Sequence, residues 1–258
     1  MSQFLTVFKK EFMESWRNFS WVWVPIVFIL LSIMDPLTYY YLPKIMDAVG
    51  GVPEGMAFEI PEIPAPDAVM LALVQISSIG VLIVVLLTMG TIAGERKTGI
   101  AELVLVKPVN HVTYILAKWF AKFVLFFIAF TIGMLLNWYY VNLLFGDVGF
   151  TELIYLLLFY ALWIMFVISL TIFFSTIFKG PGPVAGVTIG TLLSMSVVNG
   201  LVNHWLPWFP NQLSTYINEM LYNQSVSTEL WGTAGITVGL SAILLICSFI
   251  IFKNKKVL

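Results

Sequence analysis

The chain has 258 residues, 60% of them hydrophobic and 10% charged, with a formal net charge of −1. Soluble domains carry about 25% charged residues, so most of this surface does not face water, and a soluble enzyme or a nucleic-acid-binding module is excluded. A bilayer span needs about 20 apolar residues to cross roughly 30 Å of hydrocarbon; six such runs use more than half the chain and leave no room for a soluble domain of ordinary size. The expected fold is an all-α integral membrane protein, one domain over residues 1–258 with six spans. The single cysteine, Cys247, stands in the last apolar run, so an intrachain disulfide is excluded. Lys9, Lys10, Glu11, Glu14 and Arg17 break up the first twenty residues, which argues against a cleavable signal peptide.

In chain order, residues 4–19 read as an amphipathic helix lying in the membrane surface. Phe4, Leu5, Phe8, Phe12, Trp16 and Phe19 share one arc of about 120° at helical spacing, while Lys9, Lys10, Glu14, Arg17 and Asn18 occupy the remainder. The first span covers 21–41, flanked by Trp21 and Trp23 and by Tyr39, Tyr40 and Tyr41, as in the aromatic belts at headgroup level. Residues 42–68 form a Pro- and Gly-rich acidic loop. The second span covers 69–93, and a polar stretch follows over 94–118. The remaining spans are 119–145, 153–178, 184–205 and 231–252, with a tight Lys179–Pro183 turn before the fifth and a mixed, aromatic outer segment over 206–230.

Orientation follows from basic residues, which resist translocation in short loops. With the N-terminus inside, twelve of the thirteen Lys and Arg residues fall on inside segments and only Lys44 falls outside. Adding or dropping a span would destroy this alternation. Both termini are therefore expected in the cytoplasm.

No catalytic constellation is visible. His111 and His204 lie far apart, without partners at metal-ligand spacing. Gly94 and Gly99 have the glycine spacing of a phosphate-binding loop, but Ile100 and Ala101 stand where Lys and Ser/Thr are required. The chain is not expected to be an enzyme or to hold a metal or cofactor. Asp35, beside Pro36 in the outer third of the first span, is the one intramembrane charge that flags a pathway residue, against the plainer reading of an Asp reached by water. Gly182, Gly186, Gly190 and Ser194 recur at every fourth position. Such a stripe permits close helix approach, either within the chain or in a dimer.

The 94–118 stretch is the best candidate for a functional segment. It contains a short helix expected over 99–106, ending before Pro108, with both signs of charge from Glu95, Arg96, Lys97 and Glu102. A rigid short helix with mixed charge suits the docking of a soluble partner. Gly94-Glu95-Arg96-Lys97-Thr98-Gly99, the apolar run to Val106, Pro108-Val109-Asn110 and Leu116-Ala117-Lys118 resemble the cytoplasmic coupling stretch of ABC-2-type permeases, the membrane subunits of ABC exporters. Thr98 and Gly99 stand in swapped order relative to that pattern, and Asn110-His111 replaces its small-basic pair. The six spans and the N-terminal amphipathic helix are similar as well.

The resemblance implies a separate ABC ATPase carrying the ATP and Mg, a permease dimer, and contact with the ATPase through Glu95, Arg96, Lys97, Thr98, Gly99 and Glu102. It further implies a multi-pass protein of a prokaryotic cell membrane that exports an amphipathic peptide, drug or lipid-like substrate along a pathway near the second and fifth spans. Two other classes stay open on the residues alone. An ion-coupled secondary transporter would call for several buried ionisable groups or internal repeats, neither of which is evident. A non-transporting scaffold or sensor subunit would bind an ATPase without moving substrate.

Overall fold

Hydrocarbon offers no water to backbone N–H and C=O groups, so a span must satisfy them internally, and long apolar runs do so as helices. A computed structural model describes residues 3–48, 61–99, 110–202 and 206–254, and all regular structure among them is helical. Helix α1 (Gln3–Arg17) precedes α2 (Ser20–Ala48). The second long helix is assembled from α3 (Ala65–Gln75), a π turn (Ile76–Gly80), α4 (Val81–Thr88) and α5 (Gly90–Lys97). Then follow α6 (His111–Leu144), α7 (Phe150–Ile177), α8 (Pro181–Val202), a short 3-10 turn (Pro210–Gln212), α9 (Leu213–Asn223) and α10 (Thr228–Asn254). Six of these helical stretches are long and apolar enough to span a bilayer. The shortest, Pro181–Leu201, has 21 residues and rises about 31 Å. The all-α, six-span architecture with an N-terminal helix is what the chain adopts.

The polar stretch expected as a loop over 94–118 is shorter than the composition suggests. Helix α5 continues to Lys97, and Gly99 then takes φ +73°. The N–H of Gly99 bonds Arg96 O at 3.3 Å, and that of Thr98 bonds Gly94 O at 3.1 Å. Glycine enters this left-handed region without the Cβ penalty, so it is a common helix terminator. Helix α6 restarts at His111, where the Asn110 side chain accepts from Val112 N at 3.0 Å as an N-cap. At 34 residues α6 exceeds what hydrocarbon requires, so its polar first turns extend past the apolar layer. The short helix expected over 99–106 falls largely on residues outside those described.

Packing follows from a few local needs. Pro36 has no N–H to offer Ser32 O, and Asn137 of α6 supplies the missing donor, its Nδ2 donating at 2.7 Å; Asn137 is fully buried. Gly133, one turn earlier on α6, lets the two helices close. A Cβ there would sit 2.7 Å from Ser32 Oγ and 2.9 Å from Phe28 O.

Helix α7 is the centre of the bundle: 61% of its most apolar stretch is buried, against 17% for α8. Helix α9 buries Leu213, Ile217, Met220 and Leu221, an i, i+4, i+7, i+8 face. Beside it Trp208 is seated on Gly232, where a Cβ would fall 2.8 Å from the indole ring.

Two ends of the bundle are distinguished by contacts. At the proximal end Gln3 Oε1 accepts from Asn110 N at 3.3 Å, and the ring of His111 meets that of Phe252 at 5.7 Å. At the distal end Tyr39 Oη donates to Pro61 O at 2.7 Å, and Phe159 meets Trp231 at 5.2 Å. Helix α1 lies against α6 at the proximal end, turning Glu11 and Ser15 inward. Its Leu5, Met13 and Trp16 are left exposed, as is Phe19 in the turn that follows.

Candidate functional site

At the proximal end, charged side chains from three elements meet out of water. Lys118 of α6 is 1% exposed. Its Nζ lies 2.5 Å from Glu11 Oε1 of α1 and 3.0 Å from Glu95 Oε1 of α5. Glu95 also accepts from Lys10 and from the Tyr114 hydroxyl. The Lys118 ammonium stands 5.0 Å from the centre of the Tyr114 ring, which in turn stacks on Phe252 of α10. A buried carboxylate is tolerable only when paired and hydrogen-bonded, and here each of the two buried acids meets lysine. For Lys10, burial pulls the ammonium down, but the Glu95 hydrogen bond and the charges of Glu11, Glu95 and Glu14 outweigh it and hold it above its ordinary range. Glu11, Glu14 and Glu95 bring carboxylate oxygens within 4.8 Å of one another; Lys10 and Lys118 offset two of these three charges, so its chemistry is that of an ion-pair lattice.

The same segment is tied to α7. Arg96 Nη1 donates to Thr176 O at 3.0 Å. Just before it, Ser175 Oγ accepts from Ala93 N at 2.8 Å and from Ile92 N at 3.3 Å, and donates to Met89 O at 3.2 Å. Ala93 N and Met89 O are the two groups that an uninterrupted helix would join. The hydroxyl of a neighbouring helix has therefore inserted into the ladder, one of the recognised causes of a local break in a helix. The last two turns of the second span thus form a separate short rod. This rod is held by α1 and α6 through Glu95 and by α7 through Arg96 and Ser175.

Of the residues picked out from sequence, Glu95 and Arg96 are brought into this junction. Lys97 and Thr98 are exposed, with the Thr98 hydroxyl donating back to Gly94 O at 3.1 Å. Gly99 ends the rod, and Glu102 lies outside the described residues. Gly182, Gly186, Gly190 and Ser194 all face outward. No atom lies within 4 Å of a Cβ built on any of the three glycines, so the stripe is unused inside the chain. Asp35 is half-buried and accepts from Gln75 Nε2 at 2.7 Å; its partner is the residue that precedes the π turn.

The distal half is built differently. A cavity of about 630 Å³ opens between the π turn, α7, α8 and the segment around residues 210–215. Its lining is largely apolar, with scattered hydroxyl and amide groups and no charged side chain among the described residues. The π turn, a form found often at functional sites, places Ser77 where its Oγ bonds the Tyr160 hydroxyl at 2.8 Å.

With this geometry in view, the comparison with known families is decisive. The model of the ABC-2 family transporter protein matches residues 64–252. The chain belongs to the ABC-2 family. It is also similar to the uncharacterized transmembrane protein YxlG of Bacillus subtilis (strain 168), 28% identical over 256 residues, covering 99% of this chain and 98% of that one. As an ABC-2 protein the chain is a multi-pass membrane transporter subunit, a transport component that is not itself catalytic.

Sequence reasoning missed Glu11, Lys118 and Tyr114 as parts of the junction, and Ser175 altogether. A signal for the first existed. Glu11 and Ser15 fall at the edge of and within the aromatic arc of α1, and a polar residue on an apolar face invites a search for its partner. Lys118 inside a helical run was that partner. Ser175 carried no signal, because a serine in an apolar helix most often bonds its own preceding turn.

Proposed function

We propose that the chain is the permease subunit of an ATP-driven exporter in a prokaryotic cell membrane, with the proximal end and both termini in the cytoplasm. A separate ABC ATPase, which would carry the ATP and Mg, docks at that end through the 94–118 stretch. Members of the family generally work with such an ATPase. The observation that carries the reading is the short rod of Gly90–Lys97. Glu95 and Arg96 fasten it to α1, α6 and α7, so a push delivered next to Lys97 reaches three helices rather than dissipating in a loop. The described basic residues on proximal segments, among them Lys9, Lys10, Arg17, Arg96, Lys97, Lys179 and Lys253, fit a cytoplasmic face.

Two permeases would pair through α8, whose small-residue stripe is exposed and whose burial is the lowest of the six spans. The cargo is an amphipathic peptide, drug or lipid-like molecule, in keeping with a cavity that is apolar but not devoid of hydrogen-bonding groups. Docking is tested by purifying the chain with the ABC ATPase that accompanies it and crosslinking through Lys97→Cys. The expected product joins the two proteins, while Lys44→Cys, at the distal end, gives none. Crosslinking from the distal site alone would reverse the assignment of faces, and failure of any ATPase to accompany the chain would remove the reading.

A further inference from the structure

In the turn between α1 and α2, Phe19 holds φ +56° and is 71% exposed. A side chain with a Cβ enters that region only at a cost. The N–H of Phe19 bonds Trp16 O at 3.0 Å, and its carbonyl accepts from Val22 N at 2.9 Å and Trp23 N at 3.0 Å, so the turn is fixed with Phe19 held outward. Phe12 packs on Trp21 across it, ring centres 4.8 Å apart. Met13 and Trp16 of α1 are exposed as well. Water is a poor neighbour for such an edge, and acyl chains suit it. Cations stand beside it. Lys9 and Arg17 are exposed on α1 and make no ion pair among the described residues. Lys122 of α6 is half-buried and lies four residues beyond Lys118, a spacing that keeps it on the side facing α1. Glu11 and Glu14 both act on its charge, yet they sit against Lys10 and Lys118, and Lys122 itself has no ion pair among the described residues. Four residues of rise set it about 6 Å deeper than Lys118, at the start of the apolar layer. An uncompensated charge is costly there, and a lysine stem reaches back to the headgroups.

We propose that the α1–α2 turn and Lys122 form a binding site for an anionic phospholipid, its headgroup charge met by Lys122 and Arg17 and its acyl chains lying against Trp16 and Phe19. Charge complementarity selects the lipid class. Lys9, Lys10, Arg17, Lys118 and Lys122 stand against Glu11, Glu14 and Glu95, so two positive charges are left in excess. A zwitterionic lipid brings an ammonium that cancels its own phosphate and leaves that excess unanswered. An acidic protein surface would answer the cations but not the bare aromatic edge beside them. Since α1 also carries Lys10 and Glu11, a lipid seated here steadies the helix that braces the Glu95 rod. The proposal rests on the chain's being a membrane protein and is independent of the ATPase reading.

The test uses the purified chain in phosphatidylcholine nanodiscs without any ATPase, so that its outcome is separate from that of the docking experiment. A minor fraction of the lipid is acyl-brominated phosphatidylglycerol or, in a parallel set, acyl-brominated phosphatidylcholine. Trp16 is one of nine tryptophans, and the difference in fluorescence between the unsubstituted chain and Trp16→Phe isolates its signal. Stronger quenching of Trp16 by the glycerol lipid at low salt, fading as salt rises, supports the proposal. Lys122→Gln and Arg17→Gln should each reduce that preference roughly fivefold, the worth of one cation near an anionic surface. Lys122→Arg should keep it, which guards against reading a misfolded variant as a lost contact, and Lys179→Gln, in the turn before α8, should leave it unchanged. Equal quenching by the two lipids at low salt would overturn the proposal and leave the cations to an acidic protein surface. An equal loss from Lys179→Gln and Lys122→Gln would also overturn it, reducing the preference to a general attraction of the basic face.

Discussion

The proximal junction and the distal cavity are built from the same helices under opposite rules. At the proximal end the buried charges are paired, Glu95 has three partners, and Ser175 uses both its donor and its acceptor capacity. At the distal end the lining is uncharged, and two amide oxygens, of Asn199 and Asn211, are left without partners, as are the buried hydroxyls of Thr88 and Thr91 beside and within the rod. The contrast teaches where stiffness is needed. A segment that passes on a push must not yield, whereas a segment that admits a molecule must keep space in reserve. Saturated polar networks in a low-dielectric interior are costly to disturb.

The comparison can be broken most severely at Lys118. Lys118→Met removes the buried cation between Glu11 and Glu95, leaving only the half-exposed Lys10 and the Tyr114 hydroxyl beside them, and is expected to cost about 3–5 kcal/mol, read by thermal or denaturant unfolding of the purified protein. A loss below about 1 kcal/mol would mean the junction is no more than a surface ion pair. Next comes a pair of glycines. Gly133→Ala drives a Cβ into the backbone of α2, an overpacking expected to cost about 1–3 kcal/mol. Gly190→Ala meets open space and should stay within about 0.5 kcal/mol in the isolated chain, while weakening self-association if α8 faces a second copy. Equal effects on unfolding from the two would erase the difference between the packed and the exposed helix. A smaller loss than at Gly133 is expected from Ser175→Ala. Loss of the inserted hydroxyl should cost about 1–2 kcal/mol, because the helix can partly reclose over the groups it leaves. Faster hydrogen exchange confined to residues 89–93 would mark the site, and an unchanged exchange pattern would show that the hydroxyl is not a structural part of the break.

Much of the fold was legible because bilayer thickness and the loss of backbone solvation permit few solutions. The six apolar runs and the amphipathic start were sufficient for the architecture. Helix ends were harder. Polarity over 94–118 looked like a loop, whereas Gly99 and Asn110 are the residues that stop and start the helices, and the swapped Thr98-Gly99 order is what puts a glycine at the left-handed position. The rotation of α1 was not legible either. The aromatic arc suggested one lipid-facing side, while the partner of Glu11 lies more than a hundred residues away, at Lys118. Long-range pairings of this kind, and the insertion of Ser175 between Ala93 and Met89, depend on which helices become neighbours, and helical periodicity carries no record of that. The cavity was invisible for the same reason: its lining is drawn from separate elements, the π turn, α7, α8 and the turn before α9.

The central claim is that the rod carrying Glu95 passes the motion of an ATPase to the membrane helices. Its most direct test is ATP turnover by the co-purified ATPase in liposomes, with and without Glu95→Gln in the permease. The substitution keeps the side chain's shape and removes the charge that meets Lys10 and Lys118. The account predicts that the ATPase still binds while permease-dependent turnover falls sharply. Turnover indistinguishable from that of the unsubstituted complex would contradict it.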